Sequence, residues 1–532
     1  MAVLASVVDP NADTFEQNRR GMLDLLAAHD AQLQLARDGG GERYQARHRA
    51  RGKLLARERI ELLIDLGSPF LELSPLAAWG SSFNVGASIV TGVGVVSGVE
   101  CVVIAHDPTV RGGTMNPFTL KKNLRALQVA RENRLPVVNL VESGGADLQT
   151  QADLFVPAGQ IFHDLTELSA LGIPTMSLVF GNATAGGAYV PGMCDYAVMI
   201  DQRAKVFLGG PPLVKMATGE ESDDESLGGA AMHSRISGLS DYFAIDERDC
   251  IRIGRDIVAN LNWKKLGPGP SRPADHPLYD AEELLGIASI DLRIPFDPRQ
   301  VIARVVDGSR FDEYKALYGT SLATGWASIH GFPVGILANA QGVLFMEESK
   351  KATEFILLAN QTNTPLLYLH NVTGYMVGRE YEQAGIIKDG AKMINAVTNS
   401  AVPQLSVIMG ASYGAGNYGM CGQAYKPRFL FSWPNAKVAV MGPQQLAGVL
   451  SIVARHAAEA AGSPFDEEAD ARQRAAVEDQ IERESFSFFN TGKIYDDGII
   501  DPRDTRTVLG IALSAVHSNT VTGRTGFGVF RM

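Results

Sequence analysis

Apolar residues fall along this chain in two rhythms. Short runs rich in β-branched residues, Cys101 to Ala105, Val137 to Val141, Thr175 to Phe180 and Lys205 to Leu208, read as buried strands. Between the first two, Thr119 to Asn133 spaces its apolar positions as a helix does. Strands alternating with helices predict α/β crossover units. The succession then returns. "TGVGVVSGVECVVIA" from Thr91 reappears as "TGWASIHGFPVGILA" from Thr324. Pro136 and Pro365, Pro174 and Pro403, and Gly181 and Gly410 are pairs with one identical separation, and "AKVFLGGPP" at Ala204 meets "AKVAVMGPQ" at Ala436 at nearly the same distance. Landmarks kept in one order at nearly one spacing predict a tandem duplication.

The Pro- and Gly-rich stretch from Lys264 to Asp280 is the expected seam. It divides the chain into an N-terminal extension (1–30), a first domain (31–278) and a second domain (279–532). The charged segment Glu459 to Ser485 reads as a solvated helix. "GVGVVSG" from Gly92 approaches a dinucleotide fingerprint, but its spacing is G-x-G-x-x-x-G and a strand follows. Hairpin glycines explain it better.

Composition narrows the functional classes. With 532 residues, 45% of them hydrophobic and 20% charged, the chain has room for more than one core and the make-up of an ordinary globular protein. A net charge of −11 argues against nucleic acid or an anionic membrane as the main partner, leaving small molecules and proteins. The four cysteines stand singly with no C-x-x-C, so neither a metal site nor a disulfide framework is expected and a reducing compartment fits. Asp9, Asp13 and Glu16 lie where a mitochondrial presequence avoids acids, and no basic start leads into an apolar core. The cytoplasm is the expected location. Glycine and polar residues interrupt even the richest apolar runs, so no membrane span is expected.

The candidate chemistry sits in "GNATAGGAY", Gly181 to Tyr189, and its echo "GASYGAGNY", Gly410 to Tyr418. A strand feeding a helix through Gly186-Gly187 presents backbone N–H groups without intrahelical acceptors, at the end of the dipole that favours negative charge. Such donors form an oxyanion hole when charge develops during reaction. The competing reading is that the glycines only allow helix and strand to pack closely. The echo around Ala415 and Gly416 differs in its surroundings, which suggests two related cradles for two ligands. "GASYG" also matches the G-x-S-x-G of hydrolases, with Ser412 as nucleophile and His456 and His517 downstream. The first-half counterpart of Ser412 is Ala183, so the repeat does not depend on a serine.

Together these motifs resemble one family. "SGGAD" at Ser143, "ATAGGAYVPG" at Ala183, "GGPPLVKMATGE" at Gly209, "SLGGAAMH" at Ser226, "GVLFMEESKKATEF" at Gly342, "HNVTGYMVG" at His370, "GASYGAGNYGMCG" at Gly410 and "FGVFRM" at Phe527 resemble the carboxyltransferase β subunits of biotin-dependent acyl-CoA carboxylases, from about Arg47 to the end. "GPPLVK" and "MGPQQLAGVL" look more like the 3-methylcrotonyl-CoA carboxylase branch, which serves leucine degradation, than the propionyl-CoA branch, with carboxylation of another acyl-CoA (propionyl-, geranyl- or longer-chain) as the alternative. The resemblance implies two crotonase-type β-β-α superhelix domains, a hexameric β core, and a partner α subunit with biotin carboxylase and biotin carrier. It implies transfer of a carboxyl group from carboxybiotin to an acyl-CoA. Gly186 and Gly187 would hold the thioester oxygen as an enolate or dienolate forms. Ala415 and Gly416, with Tyr413 and Gly414 beside them, would hold the biotin ureido oxygen. A biotin nitrogen would take the substrate proton, so no protein base is required and no metal is implied. Ser143, Gly144, Gly145 and Ala146 would line the CoA site, and Lys350 and Lys351 would meet its phosphates. Each site would be shared between two subunits. Asp147 departs from the Arg or Asn of many relatives and reads as an N-cap or a solvent-facing acid. Cys194 and Cys421 read as small buried hydrophobes. A crotonase-type hydratase and a sodium-pump decarboxylase subunit are the alternatives from neighbouring chemistry, the duplication speaking against the first.

Overall fold

Two eight-stranded sheets carry the chain, and each is assembled in the same way. The computed structural model describes residues 2–532. Strand β1 (Ala2–Val3) leaves the N-terminus for the sheet of the far half. The first sheet comprises β2 (Phe70–Leu73), β3 (Ile89–Val96), β4 (Val99–His106), β5 (Val137–Ser143), β6 (Thr175–Thr184), β7 (Tyr196–Ile200), β8 (Lys205–Phe207) and β9 (Tyr242–Ala244). In the second half follow β10 (Arg310–Tyr314), β11 (Leu322–Ile329), β12 (Phe332–Asn339), β13 (Val343–Leu344), β14 (Leu366–Val372), β15 (Gly374–Tyr375), β16 (Gln404–Tyr413), β17 (Phe429–Ser432) and β18 (Lys437–Ala439). The order β2-β3-β4-β5-β6-β7 is repeated as β10-β11-β12-β14-β16-β17, while β13 and β15 pair with each other. In both halves the first three strands are antiparallel and the rest parallel. Helices Pro117–Asn133 and Met346–Gln361 make equivalent crossovers. The α/β class and the duplication expected from the sequence are both present.

The repeat extends to single hydrogen bonds. A register shift between Val141 and Ser143 in β5 recurs between His370 and Val372 in β14. The hairpin turn at Ser97 and Gly98 has φ of 47° and 78°, and its counterpart at His330 and Gly331 has 49° and 80°. Two successive left-handed residues are what a tight hairpin between twisted strands requires. Asp65 accepts from the N–H groups of Ser97 and Gly98 (2.8 and 2.7 Å) and pairs with Arg255 (2.8 Å). Asp307 does the same with His330 and Gly331 (3.1 and 2.7 Å) and Arg506 (2.7 Å). "GVGVVSG" is therefore this hairpin.

The halves share one apolar core, in which Leu127 and Val129 belong to the same cluster as Trp433, Leu513 and Val516. Arg125 crosses the seam to Asp497 with bonds of 2.7 and 2.8 Å, both side chains buried. The helix Asp13–Asp38 runs straight through the 30/31 border expected from the sequence. It lies against Leu284–Ile287 of the second half, where Asn18 donates to the Gly286 carbonyl at 3.2 Å. The extension thus packs as part of the far half rather than as an appendage. Glu467–Ser485 is the solvated helix expected there.

Candidate active site

Both glycine motifs lie at the ends of parallel strands. β6 closes at Thr184, a tight 3-10 turn takes Ala185–Ala188, and the helix Tyr189–Met193 follows. β16 closes at Tyr413 and the helix Gly414–Gly419 begins at once. The chain breaks direction at one left-handed residue in each, Ala185 at φ 52° and Gly414 at φ 53°, and these two positions keep the same separation as Gly181 and Gly410. Gly186 and Gly187 thus match Ala415 and Gly416 position for position. Each pair lies in the first turn of a helix, where N–H groups point away from intrahelical acceptors. Gly186 is exposed and a Cβ on Gly187 would meet nothing within 4 Å, so the first turn opens onto free space. Gly416 is tighter, since a Cβ there would reach Val372 Cγ2 at 2.7 Å. The outer glycines serve packing. A Cβ on Gly181 would meet the Glu142 side chain at 2.7 Å, and one on Gly410 would meet Asn371 Oδ1 at 2.5 Å.

Glu142, beneath the first turn, is the centre of a buried charge network. Arg59 reaches it at 2.8 Å and Lys53 forms a very short pair with it, while Arg59 also grips Glu247 with two bonds of 3.0 Å. Burial alone would raise the Glu142 carboxyl, but the Arg59 and Lys53 charges more than offset it and hold it below its ordinary value.

The segment Ser143–Ala146 is knitted to the loop Arg111–Met115. Ser143 Oγ donates to the Gly113 carbonyl (2.7 Å), Gly144 N–H to Gly112 (3.0 Å), and Met115 N–H to Gly145 (2.8 Å). Gly145 adopts φ 93°, and a Cβ on it would come within 3.3 Å of the Thr184 carbonyl, so this segment lies against the first glycine turn. Asp147 accepts from Gln149 N–H at 3.1 Å as an N-cap and pairs with Arg111 at 3.0 Å. The aromatic wall of the same turn was not legible in the sequence. Phe162 Cζ lies 3.5 Å from the position of a Gly186 Cβ, and the Phe162 ring meets Tyr189 edge-on with centroids 5.7 Å apart. Phe162 stands on the helix Gln151–Ala170, and no local motif marks it.

At the second turn, Tyr413 borders a cavity of about 1030 Å³ shared with Gln341, Gly342, Asn371, Lys437 and Met441, all from the second half. Burial pushes the Tyr413 phenol up to about 12, so it stays protonated. The expectation for Lys351 is corrected. Its side chain is fully buried, and Nζ donates to the Leu322 carbonyl at 2.7 Å and to Gly319 at 3.3 Å. Lys122, its counterpart in the first half, donates to Ile89 (2.9 Å) and Gly86 (3.3 Å) in the same way. A lysine spent on backbone carbonyls inside a crossover cannot reach a phosphate. Lys350 is half-exposed and pairs with Asp389 at 3.2 Å.

The hydrolase reading is also corrected. Ser412 is fully buried inside β16, ahead of the turn, and its Oγ bonds His370 Nδ1 (3.0 Å) and Asn417 Nδ2 (2.9 Å) rather than His456 or His517. A nucleophile elbow needs its serine exposed on the turn itself. Burial pushes His370 down to about 3, which keeps it neutral. Burial also pushes the Cys194 thiol up to about 12, and Cys421 is buried and held well above its ordinary value. Neither is an activated thiolate.

Comparison with known proteins fits this geometry. The carboxyl transferase domain family matches residues 47–527. The chain belongs to the carboxyltransferase β subunits of biotin-dependent acyl-CoA carboxylases. It is 67% identical over 530 residues to a probable biotin-dependent acyl-coenzyme A carboxylase beta2 subunit of Mycobacterium tuberculosis, with all of both chains covered. It is 48% identical to the mitochondrial methylcrotonoyl-CoA carboxylase beta chain of Dictyostelium discoideum, over all of this chain and 91% of that one. The β subunit of the geranyl-CoA carboxylase of P. aeruginosa superposes with a TM-score of 0.91 at 41% identity, covering both chains completely. Such β subunits take the carboxyl group from biotin on a partner and give it to an acyl-CoA. Among the described residues no helix is long and apolar enough to cross a membrane.

Proposed function

We propose that this chain carboxylates a 3-methyl-2-enoyl-CoA, foremost 3-methylcrotonyl-CoA, as the β subunit of a two-component enzyme. The observation that carries the reading is the pair of equivalent helix-start turns, Ala185–Ala188 and Gly414–Gly419, one at the end of the same strand in each half. When a thioester of this class loses a proton from its γ carbon, charge gathers on the thioester oxygen. The N–H groups of Gly186 and Gly187 are assigned to that oxygen. A preorganised donor of this kind contributes about 3 kcal/mol to the transition state. Carboxybiotin on the α partner supplies the carboxyl group. The N–H groups of Ala415 and Gly416 are assigned to its ureido oxygen, and Tyr413 and Gly414 to the wall beside it. The cavity of about 1030 Å³ at Tyr413 has room for the bicyclic ring. Ser143, Gly144, Gly145 and Ala146 are assigned to the pantetheine side of the first turn. The reading includes a hexameric core of these chains, sites shared between subunits, and a cytoplasmic setting.

Similarity to a methylcrotonoyl-CoA and a geranyl-CoA carboxylase subunit supports the substrate class, because both acyl groups present the same 3-methyl-2-enoyl unit to the thioester. The test is to combine the protein with its biotinylated partner, ATP and labelled bicarbonate, and compare 3-methylcrotonyl-, geranyl-, propionyl- and acetyl-CoA. The reading expects the highest kcat/KM with 3-methylcrotonyl-CoA. Preference for geranyl-CoA keeps the class and moves the chain length. Preference for a saturated substrate overturns the class, and no product with any of them overturns the carboxylase reading. Gly187→Val is expected to cut transfer at least about a hundredfold while the oligomer persists, because the turn has space for the side chain until a ligand enters. Unchanged turnover in that variant would remove the first turn from the reaction.

A further inference from the structure

Lys351 is spent on backbone carbonyls, so one of the two cations expected for the phosphates of an acyl-CoA is lost, and Arg111 is a half-exposed cation beside the segment Ser143–Ala146. We propose that Arg111, held by Asp147, receives the phosphorylated nucleotide end of CoA in the cleft beside Ala146. This rests on the acyl-CoA reading above and adds a subsite to it. The cleft has a volume of about 340 Å³ and is lined by Arg111, Thr114, Ala146, Asp147, Leu148 and Gln149. It adjoins the segment Ser143–Ala146, whose Gly145 lies against Thr184 at the entrance to the first glycine turn. A ligand with its thioester at Gly186 and its pantetheine arm along this segment runs directly into the cleft.

Three features build the site. The Arg111 side chain is 50% exposed while its partner Asp147 is 11% exposed, so the guanidinium faces solvent with its orientation fixed from behind. Its backbone is fixed as well, since Arg111, Gly112 and Gly113 are all left-handed, at φ 47°, 69° and 70°, and the loop is laced to Gly144, Gly145 and Asp147 by backbone bonds of 3.0, 2.8 and 2.8 Å. Leu148, 79% exposed at the rim, offers an apolar surface to a base. A planar guanidinium presents a fork of donors that suits a phosphate, and one carboxylate engages only one edge of it. Asp147 therefore orients Arg111 and opposes the ligand charge at the same time.

Calorimetric titration of the full-length protein with CoA, 3′-dephospho-CoA and pantetheine tests the assignment. Wild type is expected to bind CoA at least fivefold more tightly than 3′-dephospho-CoA. Arg111→Ala is expected to lose that preference and Arg111→Lys to keep part of it. Asp147→Asn keeps an oxygen for the Gln149 cap but drops the charge, and is expected to tighten CoA binding severalfold without tightening pantetheine. A purely structural Arg111–Asp147 pair would weaken all three ligands in Arg111→Ala and in Asp147→Asn alike, and that result overturns the subsite. Retention of the wild-type preference in Arg111→Ala overturns it too, and leaves the acyl-CoA reading standing. Failure of wild type to bind any form of CoA overturns both.

Discussion

Lys122 and Lys351 show how a residue's surroundings decide its chemistry. Both sit on crossover helices, and both give their ammonium groups to two carbonyls of the preceding strand region. Replacing Lys351 with Met removes the ammonium donor from the buried Leu322 carbonyl, while Gly319 keeps the Leu322 N–H at 3.2 Å, and is expected to cost about 1–3 kcal/mol in urea unfolding. Lys350→Ala removes a half-exposed cation from the buried Asp389, which keeps Lys392 at 2.9 Å, and is expected to cost less than about 1 kcal/mol. Burial lowers Lys122 from 10.5 to about 8. The folded state therefore binds fewer protons than the unfolded state between those values. The penalty for burying the charge is fully present below pH 8 and gone above 10.5, so the stability advantage of wild type over Lys122→Met is expected to widen across this window, by up to about 3 kcal/mol. A difference that stays flat or shrinks with pH contradicts the assignment. The two glycine motifs were legible in the sequence because they recur at one spacing in the two halves, although the left-handed residue of the first turn is Ala185 rather than a glycine. Lys351 was not, because its acceptors, Gly319 and Leu322, lie on the far side of a strand pair in sequence and no local pattern announces them.

Between elements, the two hairpin anchors offer an internal comparison that the duplication makes possible. Arg255 and Asp65 have side chains 32% and 28% exposed, whereas Arg506 and Asp307 are at 13% and 1%. Removing the cation from a buried pair strands a carboxylate in low dielectric, whereas water relieves an exposed one. Arg506→Ala is expected to cost about 3 kcal/mol or more, and Arg255→Ala about 1 kcal/mol or less, by denaturant unfolding of each variant. Equal costs would show that the two anchors do not differ as their burial indicates. The strand runs, the crossover helix Pro117–Asn133 and the charged helix Glu467–Ser485 were legible because their periodicity is local. The border at residue 30 failed for a tertiary reason: Asn18 and its neighbours on the first helix find partners at Gly286 and Ile290, in the other half of the chain.

At the scale of the whole molecule, two copies of one sheet plan share a core and a buried Arg125–Asp497 joint, so the halves are fixed to each other while their glycine turns differ. The first turn is open and walled by Phe162. The second is closed by Val372 and borders a cavity built from second-half residues alone. A fixed pair of unlike turns suits a reaction between two different ligands, a carboxyl donor and its acceptor, provided that the first turn of one chain meets the second turn of another. Co-expression of Gly187→Val with Gly416→Ala, which drives a methyl against Val372, tests this directly when each variant alone is inactive. Sites drawn from two subunits regain about a quarter of the wild-type carboxylation rate on random mixing, since half the pairs are mixed and half their sites are intact. Sites confined to one chain regain none, and that result would contradict the account.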